Sequence, residues 1–214
     1  MSGSLNLLVG LVMGLNLLAL GSSRLPSLIR AMSFQGVLLG FMTLLMEYGR
    51  LDWRVVLVAL ATMAGKGLLI PLLLRRAMRA ANIEREIEPF IGFVPSLLLG
   101  AGGSIAAVAL ARTLPLLPEH AKTLLVPGAI ASMFTGFILL IGRAKAISQV
   151  CGYLILENGI YLFGLLLIHS TPWLVESGIL LDVTVGVFII GIIVDRIQRA
   201  FDSLDTRKLT TLRE

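Results

Sequence analysis

The chain has 214 residues, of which 57% are hydrophobic and 14% charged, and its formal net charge is +5. Such an apolar composition excludes an ordinary water-soluble domain, so the basic excess is better explained by membrane topology than by nucleic-acid binding. One cysteine, Cys151, and two histidines are too few ligands for an iron–sulfur cluster or a structural zinc site. We therefore expect no catalytic centre, cofactor or metal in this chain.

Apolar runs long enough to cross a bilayer as helices follow one another with short connections. They cover roughly residues 5–22, 30–48, 54–75, 90–112, 122–143, 146–168 and 173–195. We predict an all-α polytopic membrane protein of about seven transmembrane helices. The expected divisions are a three-helix block at 1–89, the fourth and part of the fifth helix at 90–141, and the last helices with a polar tail at 142–214.

Lysine and arginine concentrate in alternate connections, which is the distribution that sets membrane orientation. If the N-terminus is outside, most basic residues fall in cytoplasmic segments, among them Arg24, Arg143 and Lys145. The outer loops then hold only Arg50, Arg54, Arg112 and Lys122. We predict an outside N-terminus, a cytoplasmic C-terminus and a location in the inner (cytoplasmic) membrane.

The third run carries Lys66 near its middle, between Gly65 and Gly67 and five residues before Pro71. A charge at this depth costs about 3 kcal/mol on insertion scales, so it should face the bundle interior or a wet path. Proline kinks a helix, and glycine lets another chain come close. Two interpretations stay open: a proton relay, or a structural ion pair with Glu157 or Asp182 of the later runs.

The sixth run carries Glu157, with Tyr153 and Tyr161 four residues to either side. Residues at this spacing share a helix face, so the phenols could hydrogen-bond the carboxylate. The carboxyl group could exchange protons, or it could stay neutral and serve helix packing.

The seventh run carries Asp182, followed by Thr184 and Gly186, and Glu176 lies nearer its outer end. Asp182 is a second candidate for proton exchange, whereas Glu176 is either a mouth residue or simply interfacial. Glu47 lies at the end of the second run, where a charge costs little, and is interpreted as topological. The predicted proton path is formed by Glu157, Asp182, Lys66, Glu176, Tyr153 and Tyr161.

The segment from about Gly142 onward resembles the K subunit of respiratory complex I and the C subunit of Mrp antiporters. Arg143 and Lys145 match the basic link after that family's first helix. Glu157 stands in for the acid of the second helix, shifted by about one turn. Asp182 and Gly186 match the acid of the third helix and the glycine four residues after it.

The whole chain is similar to the hydrogenase-4 component E family. The resemblance rests on Thr62, Lys66, Pro71, Gly152-Tyr153, Leu156-Glu157-Asn158-Gly159, Leu174-Val175-Glu176, Gly178-Ile179, Asp182, Leu204-Asp205 and Leu209-Thr210. It implies a non-catalytic, proton-translocating membrane subunit of a nickel–iron hydrogenase or formate hydrogenlyase-type complex. The implied partners are antiporter-like membrane subunits and a cytoplasmic nickel–iron hydrogenase module. The alternatives are a subunit of a cation/proton antiporter without a redox module, and a scaffold without an ion path.

Overall fold

The computed structural model describes residues 2–47, 52–80, 89–114 and 123–166, with the single positions 184, 186 and 191. Over this part of the chain the regular structure is helical. The helices are α1 Ser2–Gly21, α2 Leu25–Met46, α3 Trp53–Ala64, α4 Ile70–Ala80, α5 Phe93–Ala111, α6 Leu125–Gly142 and α7 Ala146–Leu165. A π-helical turn, Gly65–Leu69, joins α3 to α4 without interruption, so the two form one rod.

Five helical segments in the described ranges are long and apolar enough to cross a membrane. They are Gly3–Gly21, Leu25–Met46, Trp53–Arg79, Phe93–Ala111 and Leu125–Gly142, and they coincide with the first five predicted runs. The sixth run corresponds to α7, a helix of 20 residues whose polar side chains include Gln149, Glu157 and Asn158. The seventh run lies outside the described residues, so the count of seven stays a prediction, as does the orientation of the termini.

The π-helical turn lies just before Pro71, the residue at which the sequence predicts a kink. Proline has no backbone N–H, so it cannot bond the carbonyl four residues earlier, which belongs to Gly67. The hydroxyl of Ser33 on α2 donates to that carbonyl over 2.6 Å. A neighbouring helix thus satisfies the freed acceptor, which is how helix irregularities are tolerated at membrane depth.

Two apolar clusters occupy the two ends of the helix bundle. One contains residues near the end of α1 and the start of α7, such as Leu20 and Ile147. The other contains residues from the start of α1 and the end of α7, such as Val9 and Leu165. Buried polar side chains lie between these clusters and form the candidate site.

Helices α6 and α7 pack closely, because glycines remove side chains from their interface. A Cβ atom added to Gly136 would lie 2.5 Å from the backbone nitrogen of Leu156, and one added to Gly152 would lie 2.9 Å from that of Leu140. Real Cβ atoms do not approach backbone this closely. The small residues of α6 and α7 therefore set the distance between the two helices.

We expect Gly136→Ala to destabilise the bundle by about 1–3 kcal/mol, since α6 and α7 must move apart. Gly102→Ala on α5 is the matched control, because a Cβ atom there meets nothing within 4 Å. Thermal unfolding in detergent compares the two variants with the parent chain. Equal stability of both variants would contradict this account of the α6–α7 interface.

Candidate functional site

The polar layer is centred on an ion pair between the rod formed by α3 and α4 and helix α7. The Nζ atom of Lys66 lies 2.9 Å from Oε1 of Glu157. The residues are 3% and 2% exposed, so both charges are removed from lipid and water. Burying two charges is costly, and close pairing with further hydrogen bonds offsets that cost. Of the two ion-pair partners predicted for Lys66, the structure places Glu157 in contact; Asp182 lies outside the described residues.

Gly36 allows the backbone of Lys66 to pack closely against α2. A Cβ atom added to Gly36 would overlap Cβ of Lys66 and lie 2.9 Å from its carbonyl carbon. The sequence predicts close approach at the flanking Gly65 and Gly67 instead. A Cβ atom on Gly65 meets nothing within 4 Å, and one on Gly67 meets only the side chain of Val37 at short range. The glycine that allows the Lys66 backbone to approach α2 is therefore Gly36, on the opposing helix.

A chain of amide side chains extends from Lys66 across the bundle, and we call it the amide branch. Lys66 Nζ donates to Oδ1 of Asn158 over 3.3 Å, and Nδ2 of Asn158 donates to Oε1 of Gln35 over 3.3 Å. Gln35 Nε2 donates to Oδ1 of Asn16 over 2.8 Å, and Nδ2 of Asn16 donates to the hydroxyl of Ser132 over 2.9 Å. All five side chains are buried. The branch connects the rod, α7, α2, α1 and α6.

The charge of Lys66 fixes the direction of the amide branch. An ammonium group has only donors, so Asn158 must present its oxygen to Lys66 and its nitrogen to Gln35. The same requirement passes to Gln35 and then to Asn16. The three amide dipoles therefore align with their oxygen ends toward the ammonium group, and hydrogen bonds in such a chain strengthen one another. The branch stabilises the positive charge of Lys66.

A second set of polar groups, the hydroxyl branch, lies on the other side of the pair. The Tyr161 hydroxyl lies 2.8 Å from Oγ1 of Thr43 and 3.4 Å from Oγ1 of Thr62. Its ring centroid lies 5.6 Å from Nζ of Lys66. The predicted phenol–carboxylate bond is thus wrong for Tyr161: the residue shares a helix stripe with Glu157, but its length carries the hydroxyl past the carboxylate to the threonines.

Of the remaining predicted site residues, the structure describes only Tyr153. Tyr153 lies one turn before Glu157 and packs, partly buried, against the apolar cluster near the start of α7. Asp182 and Glu176 lie outside the described residues, so their roles stay predictions. Sequence reasoning missed four buried polar residues of the two branches: Asn16, Gln35, Thr43 and Ser132. Each stands as an isolated polar residue in an apolar run, which is the signal that could have found it.

Arg143, predicted as a loop charge and part of the basic link, is a buried structural anchor. Its guanidinium donates to the carbonyl of Leu20 at the end of α1 over 2.6 Å and to that of Ile91 over 3.1 Å. It also lies 4.5 Å from the ring centroid of Phe93. Carbonyls at a helix end lack helical partners and attract cations. Arg143 therefore ties α1, the start of α5 and the α6–α7 connection together.

Within the described ranges, no group of three or more His, Cys, Asp or Glu residues lies together as metal ligands would. The site is built instead from one ion pair and two hydrogen-bonded branches. Membrane-length helices around such a buried polar layer are typical of a helical membrane protein.

Comparison with known proteins identifies the family. The chain is 30% identical over 152 residues to hydrogenase-4 component E of Escherichia coli K12, which covers 69% of this chain and 68% of that protein. Hydrogenase-4 component E of Shigella flexneri matches to the same extent. An uncharacterized protein of Mycobacterium tuberculosis is 34% identical over 191 residues, covering 89% of this chain and 87% of the relative. The chain belongs to the hydrogenase-4 component E family. No family model and no solved structure matches it.

Proposed function

We propose that this chain is a non-catalytic integral membrane subunit of a nickel–iron hydrogenase complex of the formate hydrogenlyase type. Similarity to hydrogenase-4 component E supports its place in such a complex. We further propose that it contributes to proton translocation through buried carboxylates. The observation that carries this second part is the ion pair of Lys66 and Glu157, buried inside an apolar bundle. Ionisable residues at such depth usually mark ion pathways.

The geometry of the pair suits proton exchange. Glu157 accepts a hydrogen bond from the Lys66 ammonium group at 2.9 Å. In a low-dielectric interior, a proton arriving at the carboxylate removes the attraction within the pair, and its departure restores it. Movement of a proton through Glu157 is therefore coupled to the position of the Lys66 side chain. Oδ1 of Asn158, the first group of the amide branch, accepts a second hydrogen bond from the same ammonium group.

The proposal extends to residues and partners beyond the pair. Asp182 is proposed as a second exchanging carboxyl and Glu176 as a residue at the mouth of the path, both in the last predicted run. The proposed partners are antiporter-like membrane subunits and a cytoplasmic nickel–iron hydrogenase module. The proposed setting is the inner membrane, with the N-terminus outside and the C-terminus in the cytoplasm. All redox chemistry would then take place in other subunits.

A second candidate function is a subunit of a cation/proton antiporter without a redox module. The same buried pair supports this second function, because a carboxyl group that exchanges protons could serve in either kind of complex. The resemblance of the C-terminal part to the Mrp antiporter C subunit supports this candidate as well. The two candidates differ in the proteins that surround the chain.

Purification of the tagged chain from its own cells in mild detergent tests which of the two complexes contains it. We expect the large and small subunits of a nickel–iron hydrogenase to co-purify in stoichiometric amounts. Antiporter subunits without a hydrogenase would favour the second candidate instead. Purification of the chain without any partner would contradict both.

A further inference from the structure

A buried carboxyl group outside the ion pair lies at one end of the bundle. Glu47 directly follows α2 and is 6% exposed, whereas the sequence predicts a topological charge in contact with water. Its backbone nitrogen donates to the carbonyl of Thr43 over 3.2 Å, so the helical turn continues through it. Residues four apart in a helical turn share a face. Glu47 therefore lies one turn beyond the hydroxyl branch, on the same side of α2.

The hydroxyl branch points from the ion pair toward Glu47. Tyr161 lies one turn after Glu157 on α7, and Thr43 lies close to the end of α2. Because α2 and α7 both end on the side of the bundle where α3 begins, these groups approach the same end. The order of groups is Glu157, Tyr161, Thr43 and Glu47. The two carboxyl groups stand at the ends of this row, with hydroxyl groups between them.

The hydrogen bonds of the branch have a defined direction at rest. Oγ1 of Thr43 donates to the carbonyl of Leu39 over 3.1 Å, so it accepts from the Tyr161 hydroxyl at 2.8 Å. The Tyr161 oxygen in turn can accept from Thr62 at 3.4 Å. A hydroxyl group donates and accepts at once, so it can take up one proton as it gives up another. Asparagine and glutamine amides have separate donor and acceptor atoms, so the amide branch holds charge rather than passing protons.

We propose that Glu47 is a second proton-exchanging carboxyl of the site, connected to Glu157 through Tyr161 and Thr43. This inference rests on the proposed function of the ion pair. In one step, protonated Glu157 gives a proton to the Tyr161 oxygen, Tyr161 gives its own to Thr43, and Thr43 gives its own to the Glu47 carboxylate. Each hydroxyl loses one proton and gains one. The net change is one proton moved from Glu157 to Glu47.

Two spacings in this route correspond to one helical turn, from Glu157 to Tyr161 and from Thr43 to Glu47. Transfer across them uses rotation of a side chain or an intervening water molecule. The Thr43 hydroxyl must also turn away from the carbonyl of Leu39, which costs one hydrogen bond. These movements are small compared with the motion of a helix. The route therefore operates within a fixed bundle.

Proton uptake by proteoliposomes containing the whole complex tests the proposal. We expect Glu47→Gln and Tyr161→Phe each to lower the initial uptake rate at least about tenfold, because each removes a group that takes up and gives up a proton. Glu47→Asp keeps a titrating group and should retain a clearly higher rate than Glu47→Gln. Asp52→Asn is the matched control: Asp52 is an exposed carboxylate that caps α3 at the same end of the bundle, and asparagine caps equally well.

Comparison with Glu157→Gln distinguishes a failure of the role proposed for Glu47 from a failure of the proposed function. Low uptake in Glu157→Gln with full uptake in Glu47→Gln would overturn only the role of Glu47. Full uptake in Glu157→Gln would overturn the proposed function itself. Equally low uptake in Glu47→Asp and Glu47→Gln would assign Glu47 to the shape of the bundle and overturn its role as a proton carrier. Subunit content of each purified complex shows that assembly is the same across the series.

Discussion

Replacing Lys66 with methionine is expected to destabilise the bundle by about 3–5 kcal/mol, the usual loss when one partner of a buried ion pair is removed. Methionine fills similar space, but it leaves the Glu157 carboxylate without the ammonium group that now lies 2.9 Å away. It also removes the donor to Asn158, from which the direction of the whole amide branch follows. Thermal unfolding in detergent measures the loss.

A double variant shows whether the missing charge partner is the cause. In Lys66→Met with Glu157→Leu no charge remains, and a well-packed apolar pair often matches a buried ion pair in stability. We therefore expect the double variant to recover most of the stability that Lys66→Met loses. A double variant as unstable as the single one would show that packing around Lys66, and not its charge, stabilises the bundle.

Glu157→Gln is expected to leave the complex assembled while lowering coupled proton translocation at least about tenfold, because it removes a positioned proton carrier. The glutamine oxygen can still accept the hydrogen bond from Lys66 that Oε1 accepts now. What it cannot do is take up and release a proton. Proton translocation and subunit content are measured on the same purified complex, with Asp52→Asn as the exposed control.

Normal translocation in Glu157→Gln would show that the carboxyl group serves packing alone. A complex that fails to assemble would not decide the matter by itself, so Glu157→Asp is measured beside it. Aspartate keeps the exchanging group on a shorter arm and should retain part of the activity. Retention in the aspartate variant together with loss in the glutamine variant identifies proton exchange as the property that matters.

The helices were predictable because the length of an apolar run is a local property of the sequence. The first five predicted runs match the membrane-length helices, and the sixth matches α7. Lys66 and Glu157 stood out for a similar reason, since an isolated charge in an apolar run needs a special environment. Their pairing was one of the alternatives that the sequence left open.

The arrangement around the pair was not predictable, because it depends on contacts between distant segments. The approach of Lys66 to α2 requires Gly36, and the π-helical turn is completed by the bond from Ser33 to Gly67. Nothing near Lys66 in the sequence indicates either contact. Of the two glycines beside Lys66, Gly67 does lie against α2 through Val37, whereas a Cβ atom on Gly65 would meet nothing within 4 Å.

Single polar residues in apolar runs were also hard to interpret. Asn16, Gln35 and Ser132 each look like an isolated, tolerated exception in a helix of otherwise apolar residues. They become a chain only when α1, α2 and α6 meet α7 and the rod formed by α3 and α4. Arg143 presents the opposite case: a loop position suggests a solvated charge, whereas the fold buries it against the end of α1.

We propose that the Lys66–Glu157 pair moves protons and does not merely hold the helices together. The charge-free double variant, Lys66→Met with Glu157→Leu, separates these roles because we expect it to keep the fold while it removes both charged groups. The decisive measurement is proton uptake by proteoliposomes that contain the whole complex with this variant. We predict an assembled complex whose uptake does not exceed that of empty vesicles. Uptake equal to that of the unmodified complex would contradict the claim.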